Sequence, residues 1–201
     1  MVDPKEEFGK LNLEAIKGEV IGLALENHFK FILEKYGPEE VKRLEEGLAK
    51  LGYSLKHQEI ENFKWYPRKI DEAIYFVLKK MLNWEDEIFR ESGKLGAKIS
   101  YITRVMMRYF VSLERIFQEV GNYWRKYYTV GHLKPVELSL KERYFILELE
   151  DFPIVCSEHC RYWEGYFWQI TSHVLPKENL KLWETGCPLK GAKVHRFKAT
   201  W

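Results

Sequence analysis

The chain has 201 residues, of which 46% are hydrophobic and 31% charged, a balance that excludes a disordered or a membrane-embedded protein. Its formal net charge of +2 is too small to imply a nucleic-acid partner by itself, and no apolar run approaches the ~20 residues needed to span a bilayer. The opening Met1-Val-Asp-Pro-Lys-Glu-Glu lacks a secretory apolar segment, and three cysteines are an odd number unlike a disulfide framework, so a cytoplasmic, reducing setting is expected.

Residues 1–12 read as a loose or partly helical lead-in. From Leu13 to Tyr36, Ile16, Val20, Leu23, Ala24, Phe31 and Ile32 recur near helical spacing, and Gly37-Pro38 ends that helix and starts a second one reaching about Leu51. A connection over 53–66 leads to a helix through Ile70, Ala73, Ile74, Phe76, Val77 and Met81. Asn83 suits an N-cap for a further helix beginning at Trp84 and closing around Gly93–Gly96. Between Lys98 and Tyr128 no proline intervenes, which predicts one long helix, or two with a break near Ser112 or Gly121. After Gly131 the period becomes two: Val136, Leu138 and Leu140, then Phe145, Leu147 and Leu149, predict a hairpin. A helix over 158–175 and strands over 179–187 and 192–201 complete the order. The expected architecture is α+β: a helical part (1–130) followed by β-β-α-β-β (131–201) with an antiparallel four-stranded sheet, in one domain over 1–201.

Cysteines and histidines concentrate at the end of the chain. Cys156 and Cys160 precede or open the last helix, Cys187-Pro-Leu-Lys-Gly191 reads as a tight knuckle, and His195 is in phase with Phe197, Ala199 and Trp201. Cys156, Cys160, Cys187 and His195 would make a closed tetrahedral site, with His159 as a spare ligand. The competing reading is that buried thiols and a hydrogen-bonded core histidine need no metal. The aromatic residues have two readings as well. Tyr109, Phe110, Phe117, Trp124 and Phe167 could line a pocket for an apolar ligand, or such stripes simply fill the core.

Cys160-Arg-Tyr-Trp-Glu-Gly165 followed by Glu184-Thr-Gly-Cys187-Pro-Leu-Lys-Gly191-Ala-Lys-Val-His195-Arg-Phe197 resembles the end of the 4-vinyl reductase domain family, with His195 where that family has a final cysteine. The resemblance covers about a quarter of the chain and implies a small-molecule-binding domain with a metal-binding cysteine set. It places the chain in a superfamily with the haem-nitric-oxide-binding domains and the transport-particle (TRAPP) subunits, whose opening helices Glu34-Lys-Tyr-Gly37 also resembles. The haem members use a helical histidine and a Tyr-x-Ser-x-Arg motif. That motif is absent here, and the helical His28 and His173 have no supporting motif, so haem is not expected.

These readings combine into a non-enzymatic domain that binds or senses a small hydrophobic molecule and carries a structural zinc ion. No catalytic residue is assigned. No nucleic acid or membrane is expected as a partner, and the wide apolar helix faces allow a homodimer. The alternatives are a metal-dependent enzyme with an open three-ligand site, and a ligand-free protein–protein interaction module.

Overall fold

A computed structural model describes residues 4–108 and 112–201. Its helices are α1 (Pro4–Gly9), α2 (Gly22–Tyr36), α3 (Pro38–Lys50), α4 (Arg68–Lys80), α5 (Asp86–Ile99), α6 (Tyr101–Met107), α7 (Leu113–Trp124) and α8 (Glu158–Thr171). The strands are β1 (Glu19–Ile21), β2 (Trp65–Pro67), β3 (His132–Ser139), β4 (Tyr144–Glu150), β5 (Lys181–Gly186) and β6 (His195–Thr200). β1 and β2 form a two-stranded antiparallel ribbon, and the others form a four-stranded antiparallel sheet in the order β3-β4-β6-β5. The expected fold class and the terminal β-β-α-β-β order are both found.

Several local expectations are corrected. The helix expected from Leu13 begins only at Gly22, because Glu19–Ile21 pairs with Trp65–Pro67 and Gly18, at φ +77°, turns the chain into that ribbon. Asn83 is no N-cap: it has φ +55°, and α5 starts at Asp86 after Glu85. The break expected near Ser112 is there, with the Ser112 side chain accepting from the Arg115 N–H as an N-cap, whereas Gly121 lies inside α7. On β3 the two-residue period fails at a bulge between Pro135 and Glu137, where Val136 is exposed, and Leu140 lies past the strand in the exposed turn.

α5 runs on past the glycines expected to stop it, and their role is packing. A Cβ built on Gly93 would fall on the backbone carbonyl of Tyr162, and one on Gly165 of α8 would fall on the carbonyl of Arg90. The two helices therefore touch through their backbones. Around this crossing, Arg90 Nε donates to Glu164 Oε2 at 2.7 Å and Glu164 Oε1 accepts from the Glu184 N–H at 2.8 Å, so the buried Glu164 joins α5, α8 and β5.

α8 also lies across the inward face of the sheet. Phe145, Leu147 and Leu149 of β4 are buried in register with Ala199, Phe197 and His195 of β6. Trp163 and Phe167 pack on Phe197, with ring centroids at 6.1 and 5.2 Å.

Gly93→Ala and Gly165→Ala should each destabilise the protein by about 2–3 kcal/mol, since the added methyl has only backbone to displace. Urea denaturation would read this, with Gly9→Ala, whose Cβ meets nothing within 4 Å, as the control.

Candidate functional site

Three buried groups of polar side chains meet around α8. The first grows from α4, whose Arg68, Asp71, Glu72 and Tyr75 share one helical face by their spacing. All four are fully buried. Glu72 Oε1 accepts from Arg68 Nη2 at 3.2 Å and lies 2.9 Å from His159 Nδ1, while its Oε2 accepts the backbone N–H groups of Val155 and Cys156 at 3.0 and 3.3 Å. Arg68 Nη2 also donates to the Pro153 carbonyl at 2.7 Å, and its guanidinium lies 3.5 Å from the Phe152 ring centroid. One α4 carboxylate thus fixes the segment that leads into α8. Asp71 faces His28 of α2 at 3.6 Å and His159 of α8 at 3.5 Å. Burial works against its charged form, but His159, His28 and Arg68 outweigh it and hold the Asp71 carboxyl below its ordinary value.

The second group is made of hydroxyls. Thr103 Oγ1 meets the phenol oxygens of Tyr166 at 2.8 Å and Tyr127 at 3.1 Å, and also that of Tyr123; Ser100 Oγ bonds Tyr127. Burial pushes the phenols of Tyr123 and Tyr166 well above their usual range, so they remain protonated donors. Apolar cavities lie on either side. One is lined by Ile116, Phe117, Val120, Phe145, Leu147 and Phe167, among others; the other by Ala24, Trp124, Tyr128, Tyr162 and Trp163, among others. Tyr123 and Phe167 line both, and each has a free volume of about 30 Å3, room for about two waters.

The third group is the thiol cluster. Cys160, Glu184, Cys187 and His195 place one ligand atom each within 4.8 Å of the others. Cys160 Sγ is 3.9 Å from Cys187 Sγ and 3.5 Å from His195 Nδ1, and His195 Nδ1 is 3.1 Å from Glu184 Oε1. His195 Nε2 is 3.1 Å from the Phe152 carbonyl, to which it can only donate, and Nδ1 faces Glu184 and Cys160. A hydrogen bond from Cys160 draws the Cys187 thiol down to about 6, and the same sharing, with burial, pushes Cys160 up. Glu184 is held below its ordinary value: burial opposes this, and hydrogen bonds from His195 and Cys160 prevail.

Three of the four expected metal-ligating residues therefore come together, and Cys156 does not. Its Sγ points to the Glu72 carbonyl at 3.8 Å, and burial pushes the thiol far up. Glu184, which the sequence reading left out of the ligand set, takes the fourth place. The spare ligand His159 belongs to the Asp71 group instead. Among the expected pocket residues, Phe117, Trp124 and Phe167 line the two cavities, while Tyr109 and Phe110 lie outside the described residues. Asp71 and Glu72 were missed altogether. Their available signal was charge at i, i+3 and i+4 in phase with an aromatic.

No family model and no curated protein matches the chain, so the likeness to the 4-vinyl reductase domain rests on its motif residues alone. Solved structures do match. An H-NOX protein from S. oneidensis in the Fe(II) ligation state, in mutant form, has a TM-score of 0.68 at 13% identity, over 90% of this chain and 95% of that one. An Fe(II) unliganded H-NOX protein from K. algicida gives 0.64 at 9% identity, over 90% and 95%. An oxygen-binding H-NOX domain related to soluble guanylate cyclases, in its oxygen complex, gives 0.58 at 12%, over 89% and 93%. The chain has the fold of the haem-nitric-oxide-binding domains.

Two cofactor expectations are thereby corrected. The structures that share this fold are studied as heme proteins, in Fe(II) and Fe(II)NO states, and they replace the expectation of zinc and overturn the exclusion of haem. At 9–13% identity, the absence of one short motif says little about what the fold accommodates. The chain's own residues can be compared with the group directly. His28 and His159 both face Asp71, and the cavities beside the aromatic helices are far smaller than a porphyrin. In this arrangement neither of those two cavities fits a haem.

Glu72→Ala should cost about 3–5 kcal/mol, because it leaves Arg68 buried without its carboxylate and two N–H groups without an acceptor. Chemical denaturation would measure it. Asp71 and Glu184 have depressed folded values, so the stability they contribute is present above the ordinary carboxyl range. It is lost as pH falls below about 4 through their folded values. Asp71→Asn should flatten that acid limb in thermal melts recorded against pH.

Proposed function

We propose that the chain is a non-enzymatic sensing domain for a small, mostly apolar molecule taken up between α7, α8 and the sheet. The observation that carries this reading is the pair of aromatic cavities that share Tyr123 and Phe167 across a buried hydroxyl cluster. Phe117, Trp124 and Phe167 are the proposed apolar contacts. The hydroxyls of Thr103, Tyr123 and Tyr166 offer hydrogen bonds to one polar atom of the ligand. A few heavy atoms fit the closed form, and a larger ligand enters by moving α7 from α8. Support also comes from the fold, since the named neighbours include an Fe(II)NO state and an oxygen complex. No helix among the described residues is long and apolar enough to cross a membrane.

The test is a binding screen read by the fluorescence of Trp124 and Trp163, with hemin and a panel of small apolar compounds as separate arms. At least one arm should saturate in wild type, and Val120→Phe, which fills the first cavity, should weaken binding at least tenfold. Saturation unaffected by that substitution would place the ligand elsewhere, and no saturation in any arm would reject the sensing role.

For the thiol cluster we propose that Cys160, Cys187 and His195, joined by Glu184, are the metal-ligating residues. Elemental analysis of protein purified without chelator, beside a Cys160→Ser/Cys187→Ser variant, reads both whether an ion is held there and which one. An equal metal content in the two proteins would remove this assignment.

A further inference from the structure

We infer that the ligand of the aromatic cavities is a small apolar acid, whose anionic head group is held by Lys98 and Arg104 at a pocket between α6 and α8. This rests on the cavities being a ligand site, and adds the class of ligand and the place where its charge is met.

The pocket has a free volume of about 260 Å3 and is lined by Lys98, Thr103, Arg104, Gln169, Ile170 and His173, among others. Two of these residues join it to the interior. Ile170 also lines the first aromatic cavity, so the two spaces share a wall. Thr103 belongs to the hydroxyl cluster, its Oγ1 meeting Tyr166 at 2.8 Å and Tyr127 at 3.1 Å. Both are buried, while Lys98 and Arg104 are exposed at the mouth.

Volume favours a ligand that uses both spaces. The first cavity alone holds about two waters, whereas the outer pocket approaches the ~300 Å3 at which small-molecule sites begin. A change of rotamer at Ile170 opens the shared wall. A short apolar tail then lies against Phe117 and Phe167, and the head group stays among the polar residues of the mouth.

Charge decides the head group. The lining carries two permanent cations and no carboxylate. Among the described residues, the side chains of Lys98 and Arg104 form no ion pair and no hydrogen bond. The open pocket beside α1 shows the opposite arrangement: its Lys80 pairs with Glu7 at 2.7 Å and its Lys79 with Glu158 at 4.0 Å, and all four residues line it. There the protein neutralises its own cations; between α6 and α8 they are left for a ligand. Glu114 lies in the adjoining groove, which His173 also lines, and not in this pocket. A guanidinium takes a carboxylate through two parallel hydrogen bonds, and an ammonium adds a point charge. A wholly polar anion would gain nothing from Ile170, Phe117 and Phe167, so the acid needs an apolar tail.

The test titrates 3-phenylpropanoate and octanoate, each beside its neutral amide, into the full chain with tryptophan fluorescence as the readout. At least one acid should bind about tenfold more tightly than its amide, an advantage that shrinks as salt rises toward about 1 M. Lys98→Gln with Arg104→Gln, both at exposed positions, should remove that advantage and leave the amide's affinity unchanged. Val120→Phe should weaken acid and amide alike. Equal affinity for acid and amide in wild type overturns the inference and leaves the cavity reading standing, as does an acid preference that survives the double substitution. Acid binding that withstands Val120→Phe would confine the ligand to the outer pocket and overturn the link to the cavity. If no acid saturates, the inference fails, and the cavity reading is judged by its own screen.

Discussion

Backbone-to-backbone contact between α5 and α8 is the constraint from which the rest of the architecture follows. Gly93 and Gly165 let each helix press on the other's carbonyls, and no side chain larger than hydrogen fits between them. With α8 held at that distance, its opposite flank meets the sheet through Trp163 and Phe167. Its first turn brings His159 to Asp71 and Glu72, and Cys160 to Cys187 and His195. The three polar groups of the interior are arranged around one helix because that helix cannot move away.

Those groups differ in how they balance charge. The hydroxyl cluster is neutral and its members satisfy one another, which suits a wall between two apolar cavities. In the thiol cluster, negative groups are brought together with His195 and Arg161, the latter 2.9 Å from Glu184. In the α4 group the two carboxylates face one guanidinium and two histidines. Both charged groups lie beyond the rims of the aromatic cavities, so the ligand reading and the ion reading concern different parts of the same interior.

The order of elements was legible because periodicity survives in α3, α4, α8 and the β3-β4 hairpin, and because Gly37-Pro38 and the Cys187–Gly191 knuckle punctuate it. The inward phase of His195 could be read for the same reason. What failed did so for identifiable causes. Gly93 and Gly96 look like a helix stop in one dimension and are a packing surface in three. The β1–β2 ribbon has three residues a side, too short for alternation to show. Cys156 shares a turn with Cys160, and only the position of the Glu72 carbonyl decides that its thiol points away from the cluster. Arg68, Asp71 and Glu72 look like solvent-facing charge, because a helix buried on nearly all sides has an inward polar face that local sequence cannot distinguish from an outward one. The motif resemblance found the right superfamily fold and misjudged the cofactor, since its residues report on the end of the chain rather than the interior.

Helices separated by interlocking side chains can slide, because rotamers yield. α5 and α8 have no such compliant layer at their crossing. A displacement of α8 by anything that enters beside Phe167 must therefore carry α5 as a rigid lever. α5 is tied to α2 through Lys35 and Glu91, and its far end runs into Ser100 and the short helix bearing Thr103. The glycines that bring the helices together also make them a stiff linkage, able to transmit motion from the interior to the surface with little loss.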